Sequence, residues 1–188
     1  MKYLLLFLSF SAVAADNTIH IQQIGDNNII NVSQDGSGHT ATINLGLISA
    51  VDNTSISIDQ KDSGTKTANV EIRSGINNGI NILQQGAGNH IASIQNLNGS
   101  GNNISINQQG IGNHQLNVIG SAGTINSGNT INASQSGGAG ADKWFQVNLL
   151  GATGATVNLQ QTNQTQADQA SMNIQCSSNC GTWSYIRN

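Results

Sequence analysis

The sequence contains no proline, and charged residues make up only 8% of its 188 residues, against roughly 25% in an average globular protein. Proline removes a donor from a β-ladder, and like charges repel when strands stack, so both shortages are typical of a long hydrogen-bonded β-array. Regularly spaced Ile, Val and Leu argue against disorder, because disordered chains typically have high net charge and few β-branched residues.

Basic and aromatic side chains are also scarce, with six Lys and Arg residues and an aromatic content of 4%. Nucleic-acid binding needs a basic patch, so we expect no nucleic-acid partner. The nine acidic residues are scattered, the chain is short for a solenoid enzyme that acts on carbohydrate, and aromatic sugar platforms are few. We therefore expect no enzymatic activity and no cofactor. The histidines are predicted to be solvated turn residues, not metal ligands: His20, His39, His90 and His114.

Residues 1–15 are predicted to be a secretory signal peptide. Lys2 precedes an apolar run that ends at Phe10, and small residues follow up to Ala15. The run is too short to span a membrane, so we expect Sec-type export, cleavage after Ala14 or Ala15, and no part for this segment in the fold. The remainder has five basic and nine acidic residues, a formal net charge of −4.

The only two cysteines, Cys176 and Cys180, lie near the C-terminus. In an exported protein they either pair or remain free thiols, and without a neighbouring His they cannot complete a structural zinc site. Segment 176–188 also holds Trp183 and Tyr185, and we interpret it as a cap or tail behind a repeat array of residues 16–175.

A short pattern recurs along this array: a polar residue, two apolar residues and a Gln at alternate positions, and then a Gly. Alternation with period two places these side chains on one face of a β-strand. The predicted apolar core is Ile19, Ile21, Ile30, Val32, Ile56, Ile58, Ile80, Ile82, Ile104, Ile106, Ile131, Val157 and Leu159. The predicted inward amides are Gln23, Asn28, Gln34, Gln60, Asn78, Gln84, Asn89, Gln95, Asn102, Gln108, Asn113, Asn129 and Gln135. The predicted turn glycines are Gly25, Gly36, Gly86, Gly88, Gly110 and Gly112.

One strand cannot bury its own apolar face, so two successive strands are expected to form a coil, and the coils to stack about 4.8 Å apart. The spacing of the Gln residues predicts an all-β, two-sheet β-solenoid of roughly twelve strands and six rungs. A buried amide without partners costs about 1–3 kcal/mol. Amides stacked in register can instead bond to one another, as in the ladders of cross-β structures.

The segment Gln84-x-Gly86-x-Gly88-Asn89-x-Ile91-x-x-x-Gln95 resembles the curlin repeat, and the pattern returns at residues 108–113 and 23–34. The resemblance implies a secreted curli-like amyloid subunit that forms a cell-surface fibre in a biofilm matrix. It also implies partners: further copies of the chain, other curli-type subunits, export and assembly factors, and a cell surface or matrix. The sequence shows no targeting segment between signal peptide and repeats. Leu45 and Ile119 replace the expected Gln, so the minor, nucleating type of subunit is as close a resemblance as the major one.

Two further interpretations remain open. Residues 137–145 match the nonapeptide of calcium-binding β-rolls, but only once, so an inter-strand turn is the favoured interpretation. A capped monomeric β-solenoid that serves as an adhesin or binds ice or glycans is the alternative to a fibre. No cap precedes Asn17-Thr18-Ile19, and an uncapped solenoid end is a template for an identical chain.

Overall fold

The computed structural model describes residues 5–10, 16–121 and 123–188. Both predicted cleavage positions, after Ala14 and after Ala15, lie outside these ranges. The described ranges contain no helix, and hence none long and apolar enough to cross a membrane.

Two parallel sheets face each other across one apolar core, and the chain alternates between them. The first sheet contains β1 (Leu5–Phe10), β3 (Ile29–Asp35), β6 (Ser55–Lys61), β8 (Gly79–Gln85), β10 (Asn103–Gly110), β12 (Thr130–Gly137), β14 (Ala155–Gln161) and β16 (Gly181–Arg187). The second contains β2 (Thr18–Gln23), β4 (Thr40–Leu45), β7 (Lys66–Ile76), β9 (His90–Asn98), β11 (His114–Gly120), β13 (Lys143–Leu149) and β15 (Asp168–Ile174). The short β5 (Val51–Asp52) pairs with the end of β7. The predicted all-β solenoid is confirmed.

The solenoid has about seven turns, one more than the spacing of the Gln residues predicted. The difference lies at the C-terminal end. Segment 176–188 was interpreted as a tail outside the repeats, but residues 181–187 form β16 and pair in parallel with β14. Ala155–Gln161 and Asp168–Ile174 complete the preceding turn.

Burial alternates along the strands as the period-two pattern predicts. In β10, Ile104, Ile106 and Gln108 are buried, and the residues between them face outward. All the predicted apolar core residues are buried except Ile19 and Ile21, which point inward but stay half-buried because their strand, β2, pairs only with β4.

Neighbouring strands of the first sheet are in strict register. Ile80 pairs with Ile104 and Ile104 with Ile131, while Gln84 pairs with Gln108 and Gln108 with Gln135. A slip of one residue would turn every inward side chain outward. The register is therefore fixed by burial on one face.

The N-terminal strand departs from the expectation that residues 1–15 stay outside the fold. Leu5–Phe10 forms β1 and pairs in parallel with β3. If the signal peptide is removed as predicted, β3 becomes the edge strand of the first sheet, and its outer backbone groups become free to pair.

Glycine is required at the predicted turns for two reasons. Gly25, Gly36, Gly86 and Gly110 have positive φ angles, which residues with a side chain rarely adopt. The other reason is close stacking between turns: a Cβ on Gly88 would lie 2.1 Å from the carbonyl oxygen of Gly112. The turns are thus stacked as tightly as the strands.

Replacing Gly110 with alanine is predicted to destabilise the fold by about 2–4 kcal/mol, because it combines strain at positive φ with steric overlap. The new Cβ would lie 2.4 Å from the carbonyl oxygen of Gly137. Gly140→Ala is the control, since Gly140 also has positive φ but nothing lies within 4 Å of its Cβ position. Denaturant unfolding followed by circular dichroism should show a clearly larger loss for Gly110→Ala; equal losses would contradict the stacking argument.

Candidate assembly interface

A continuous column of glutamines runs through the first sheet. In each rung the side-chain Nε2 donates to the Oε1 of the next Gln towards the C-terminus, over 2.8–2.9 Å. The column comprises Gln34, Gln60, Gln84, Gln108, Gln135 and Gln161. All point the same way, so the column has a direction along the solenoid axis.

Each of these amides also connects the two sheets. The Nε2 group of Gln108 donates to the carbonyl oxygen of Ile91 in β9 at 2.9 Å, and Gln84 donates likewise to Thr67 in β7 at 3.1 Å. The other column members make the same kind of bond. The Gln side chains therefore hold the sheets together, and both donors of every Nε2 are used.

A second column, of asparagines, lies where the strands of the first sheet begin. Asn102 Nδ2 donates to Asn78 Oδ1, and Asn129 Nδ2 donates to Asn102 Oδ1, each at 3.0 Å. The same oxygens accept from the backbone N–H of the next Asn. Asn28 caps the next turn in the same way, because its Oδ1 accepts from the N–H of Thr54. This column donates towards the N-terminus, opposite to the Gln column.

Four of the predicted inward amides do not belong to these columns. Asn89, Gln95 and Asn113 lie exposed on the outer face. Between the two strands every second residue continues to point inward, from Gln84 through Gly88 to His90, where β9 begins. Gln23 is half-buried in the second sheet, where it pairs with Leu45. Placing all four in an inward amide column was wrong. Gln161, in the weaker repeat copy that contains Val157 and Leu159, is the last member of the Gln column.

A third column, at the start of the second sheet, contains ionisable side chains. Successive rungs place His39, Lys66, His90, His114, Lys143 and Asp168 in register. The three histidines are buried, so the prediction that they are solvated was wrong; His20 alone is exposed. The sequence does carry a signal of this column, a fixed offset of six positions from Gln60 to Lys66, from Gln84 to His90 and from Gln108 to His114.

The amine of Lys66 lies in a cage of backbone carbonyls. Its three N–H groups lie within hydrogen-bonding distance of four carbonyl oxygens, those of Ser63, Gly86 and Gly88 at 2.7–2.8 Å and that of Gly64 at 3.2 Å. Burial lowers the pKa of this amine to about 8, since desolvation penalises the charged form. Lys143 is likewise buried and donates to the carbonyls of Asn163 and Gln166.

The C-terminal rung ends the columns with different chemistry. Gln161 Nε2 donates to Asp168 Oδ2 at 2.8 Å, in place of another amide. The Tyr185 hydroxyl donates to the same carboxylate at 2.9 Å, and Arg187 approaches it to 3.9 Å. Burial and this hydrogen bond raise the pKa of Tyr185. In the register of β16, Trp183, Tyr185 and Arg187 occupy the positions of Val157, Leu159 and Gln161.

The tail before β16 is closed by a disulfide between Cys176 and Cys180, whose Cα atoms are 5.6 Å apart. The adjoining Thr153 N–H donates to the sulfur of Cys180. The bond closes only a small loop, so by chain-entropy reasoning it adds little stability. β16 begins at the residue directly after Cys180.

The nonapeptide segment is not merely a turn, because Lys143, Trp144 and Phe145 begin β13, and Lys143 and Phe145 are buried. Within the described ranges, no group of three or more His, Cys, Asp or Glu side chains is placed to hold a metal ion. Comparisons with family models, curated proteins and solved structures found no match. The resemblance to the curlin repeat therefore rests on the residues of the repeat alone.

Gln84→Ala is predicted to destabilise the solenoid by about 2–4 kcal/mol, because it leaves the Nε2 of Gln60 and the Oε1 of Gln108 without their side-chain partners in a buried column. Gln85→Ala is the matched control, since Gln85 lies beside it but faces solvent. Chemical unfolding of the two variants measures the difference. Similar small losses in both would show that the column contributes little.

Proposed function

We propose that this chain is a structural subunit of an extracellular curli-like fibre, in which solenoids stack end to end. The observation that carries the proposal is the repetition of one set of bonds: backbone ladder, Gln column and Asn column recur in register from rung to rung. Nothing in this geometry limits the number of rungs, and cross-β fibres use the same bonds between chains.

The N-terminal end supports stacking. After cleavage of residues 1–15, β2 and β3 are the outermost strands of their sheets, and no strand covers their outer edges. On the inward face of β2, Ile19 and Ile21 are only half-buried, although their counterparts in β4, Ala41 and Ile43, are fully buried. A further rung would bury this apolar surface and pair the free backbone groups.

The C-terminal end favours a second candidate, the minor, nucleating subunit. There the last Gln of the column donates to Asp168, and Arg187 occupies the position where the next Gln would lie. Trp183 is 41% exposed and Ile186 62% exposed. An identical chain stacked on this end would meet the Arg187 guanidinium at the position where rungs inside the solenoid meet another Gln amide. A subunit with this end would begin or end a filament, and the filament would grow mainly from the subunit's N-terminal end.

A charge on the inward face of β2 is predicted to block stacking. Ile21→Lys should abolish fibre growth by residues 16–188, because a second copy would bury the ammonium, yet the monomer should stay folded since Ile21 is half-buried at the end of the solenoid. Gln22→Lys, outward on the same strand, is the control and should still grow. Thioflavin fluorescence, electron microscopy and fibre diffraction near 4.8 Å report growth.

Failure of the unsubstituted residues 16–188 to form fibres, with a stable monomer in solution, would overturn the fibre proposal in favour of the capped binding solenoid. Equal growth of both lysine variants would instead exclude the N-terminal end as the growing end. These two outcomes are distinguishable in one experiment.

Rewriting the last rung should separate the two kinds of subunit. Trp183→Ile, Tyr185→Ile and Arg187→Gln together copy the inward pattern of β10, keep the chain length and leave the disulfide in place. If β16 is a cap, this variant, and equally deletion of residues 176–188, should shorten the lag of unseeded growth severalfold. Ile186→Ser, on the outward face, is the control. An unchanged rate would show that the C-terminal end does not restrict growth.

A further inference from the structure

The third column combines burial with groups that can take up protons. His39, His90 and His114 are each at most 1% exposed. In each, Nε2 contacts one backbone carbonyl oxygen of the preceding turn: that of Asp35, Gln85 or Gln109, at 2.9–3.3 Å. The imidazoles of His90 and His114 stack with their centroids 4.9 Å apart and their planes within 8° of parallel.

The other ring nitrogen has no partner in any of the three. Nδ1 of His39, His90 and His114 is buried without a hydrogen bond. A neutral imidazole with its proton on Nε2 suits this site, because Nε2 donates to the carbonyl and Nδ1 remains an unused acceptor. Protonation would place a second N–H, and a positive charge, on a buried nitrogen that makes no hydrogen bond in this structure.

The neighbouring charges strengthen this preference for the neutral form. Charged or titratable groups face each ring: Lys66 and Asp35 at His39, Lys66 and His114 at His90, and Lys143, Asp142 and His90 at His114. Asp62 acts on His39 through its backbone carbonyl. The two carboxylates, of Asp35 and Asp142, lie on exposed residues, where water screens them, while both lysines are buried in the column itself. A protonated His90 would therefore lie one rung, about 4.8 Å, from each of two groups that are or become cationic.

We propose that this column is an acid-sensitive switch: the solenoid is stable while the three imidazoles are neutral, and in acid it unfolds, beginning at this column. Burial lowers the pKa of His39 and His114 and lowers that of His90 to about 4. The folded chain thus binds fewer protons than the unfolded chain, whose His pKa is about 6.5. The stability that depends on the neutral histidines is complete above about pH 6.5 and falls as the pH drops from there towards 4. This holds for the single chain whether or not it forms fibres.

The test compares residues 16–188 with a variant in which His39, His90 and His114 are all replaced by Asn, the residue that the same column carries at Asn17. Denaturant unfolding is measured at pH 7 and pH 4, at concentrations where sedimentation detects no fibres. For the unsubstituted chain, the unfolding equilibrium constant should rise on the order of 100-fold more than for the variant, from His90 alone. His20→Asn, on the exposed histidine, is the control and should behave like the unsubstituted chain.

An equal rise in the triple variant and the unsubstituted chain would overturn the proposal. If the triple variant does not fold, nitrogen NMR of the unsubstituted chain gives the answer. At pH 7, His90 and His114 should be neutral with the proton on Nε2; in the folded state His90 should titrate below pH 5 and His114 below its usual value. Titration of both near pH 6.5 without loss of the folded spectrum would overturn the switch equally.

Discussion

The stacking of identical polar side chains at one fixed spacing is the constraint on which the rest of this structure depends. A Gln amide carries both donors and an acceptor, so it can bond to its own copy one rung away, while its second N–H donates to a backbone carbonyl of the other sheet. Gln84 bonds to Gln108 and Gln108 to Gln135. The same geometry forbids proline in the stacked strands and disfavours like charges, which accounts for the composition.

The first sheet was more predictable from the sequence than the second, in which Ile19 and Ile21 of β2 were nevertheless placed correctly on the inward face. In β10 of the first sheet, the apolar residues Ile104 and Ile106 occupy one alternate phase only, so period two gives both the strand and its inward face. In β9 the outward Ile91 competes with the inward Ala92 and Ile94. Choosing the face then depends on how many residues the preceding turn uses. The period-two pattern within a strand does not encode that number.

The two ends of the solenoid differ for a related reason. An amide column continues only if the next rung places another amide at the same position along the strand. At the C-terminal end, the Asp168 carboxylate instead accepts the hydrogen bond from the last Gln, and Tyr185 and Arg187 lie around that carboxylate. The alternation of Trp183, Tyr185 and Arg187 is visible in the sequence once β16 is known to pair with β14. Without that pairing, three bulky residues are equally consistent with a loose tail, and for this reason the seventh turn was missed.

The ionisable column shows under which conditions charged side chains can lie buried in a stack of this kind. Two neutral histidines separate Lys66 from Lys143, so the two ammonium groups lie three rungs apart, about 14 Å. Their repulsion there is about a third of that between adjacent rungs, since Coulomb energy falls inversely with distance. Carbonyl cages replace the water that each amine loses. The two buried cations are therefore tolerated because neutral imidazoles lie between them, and protonating those imidazoles removes that separation.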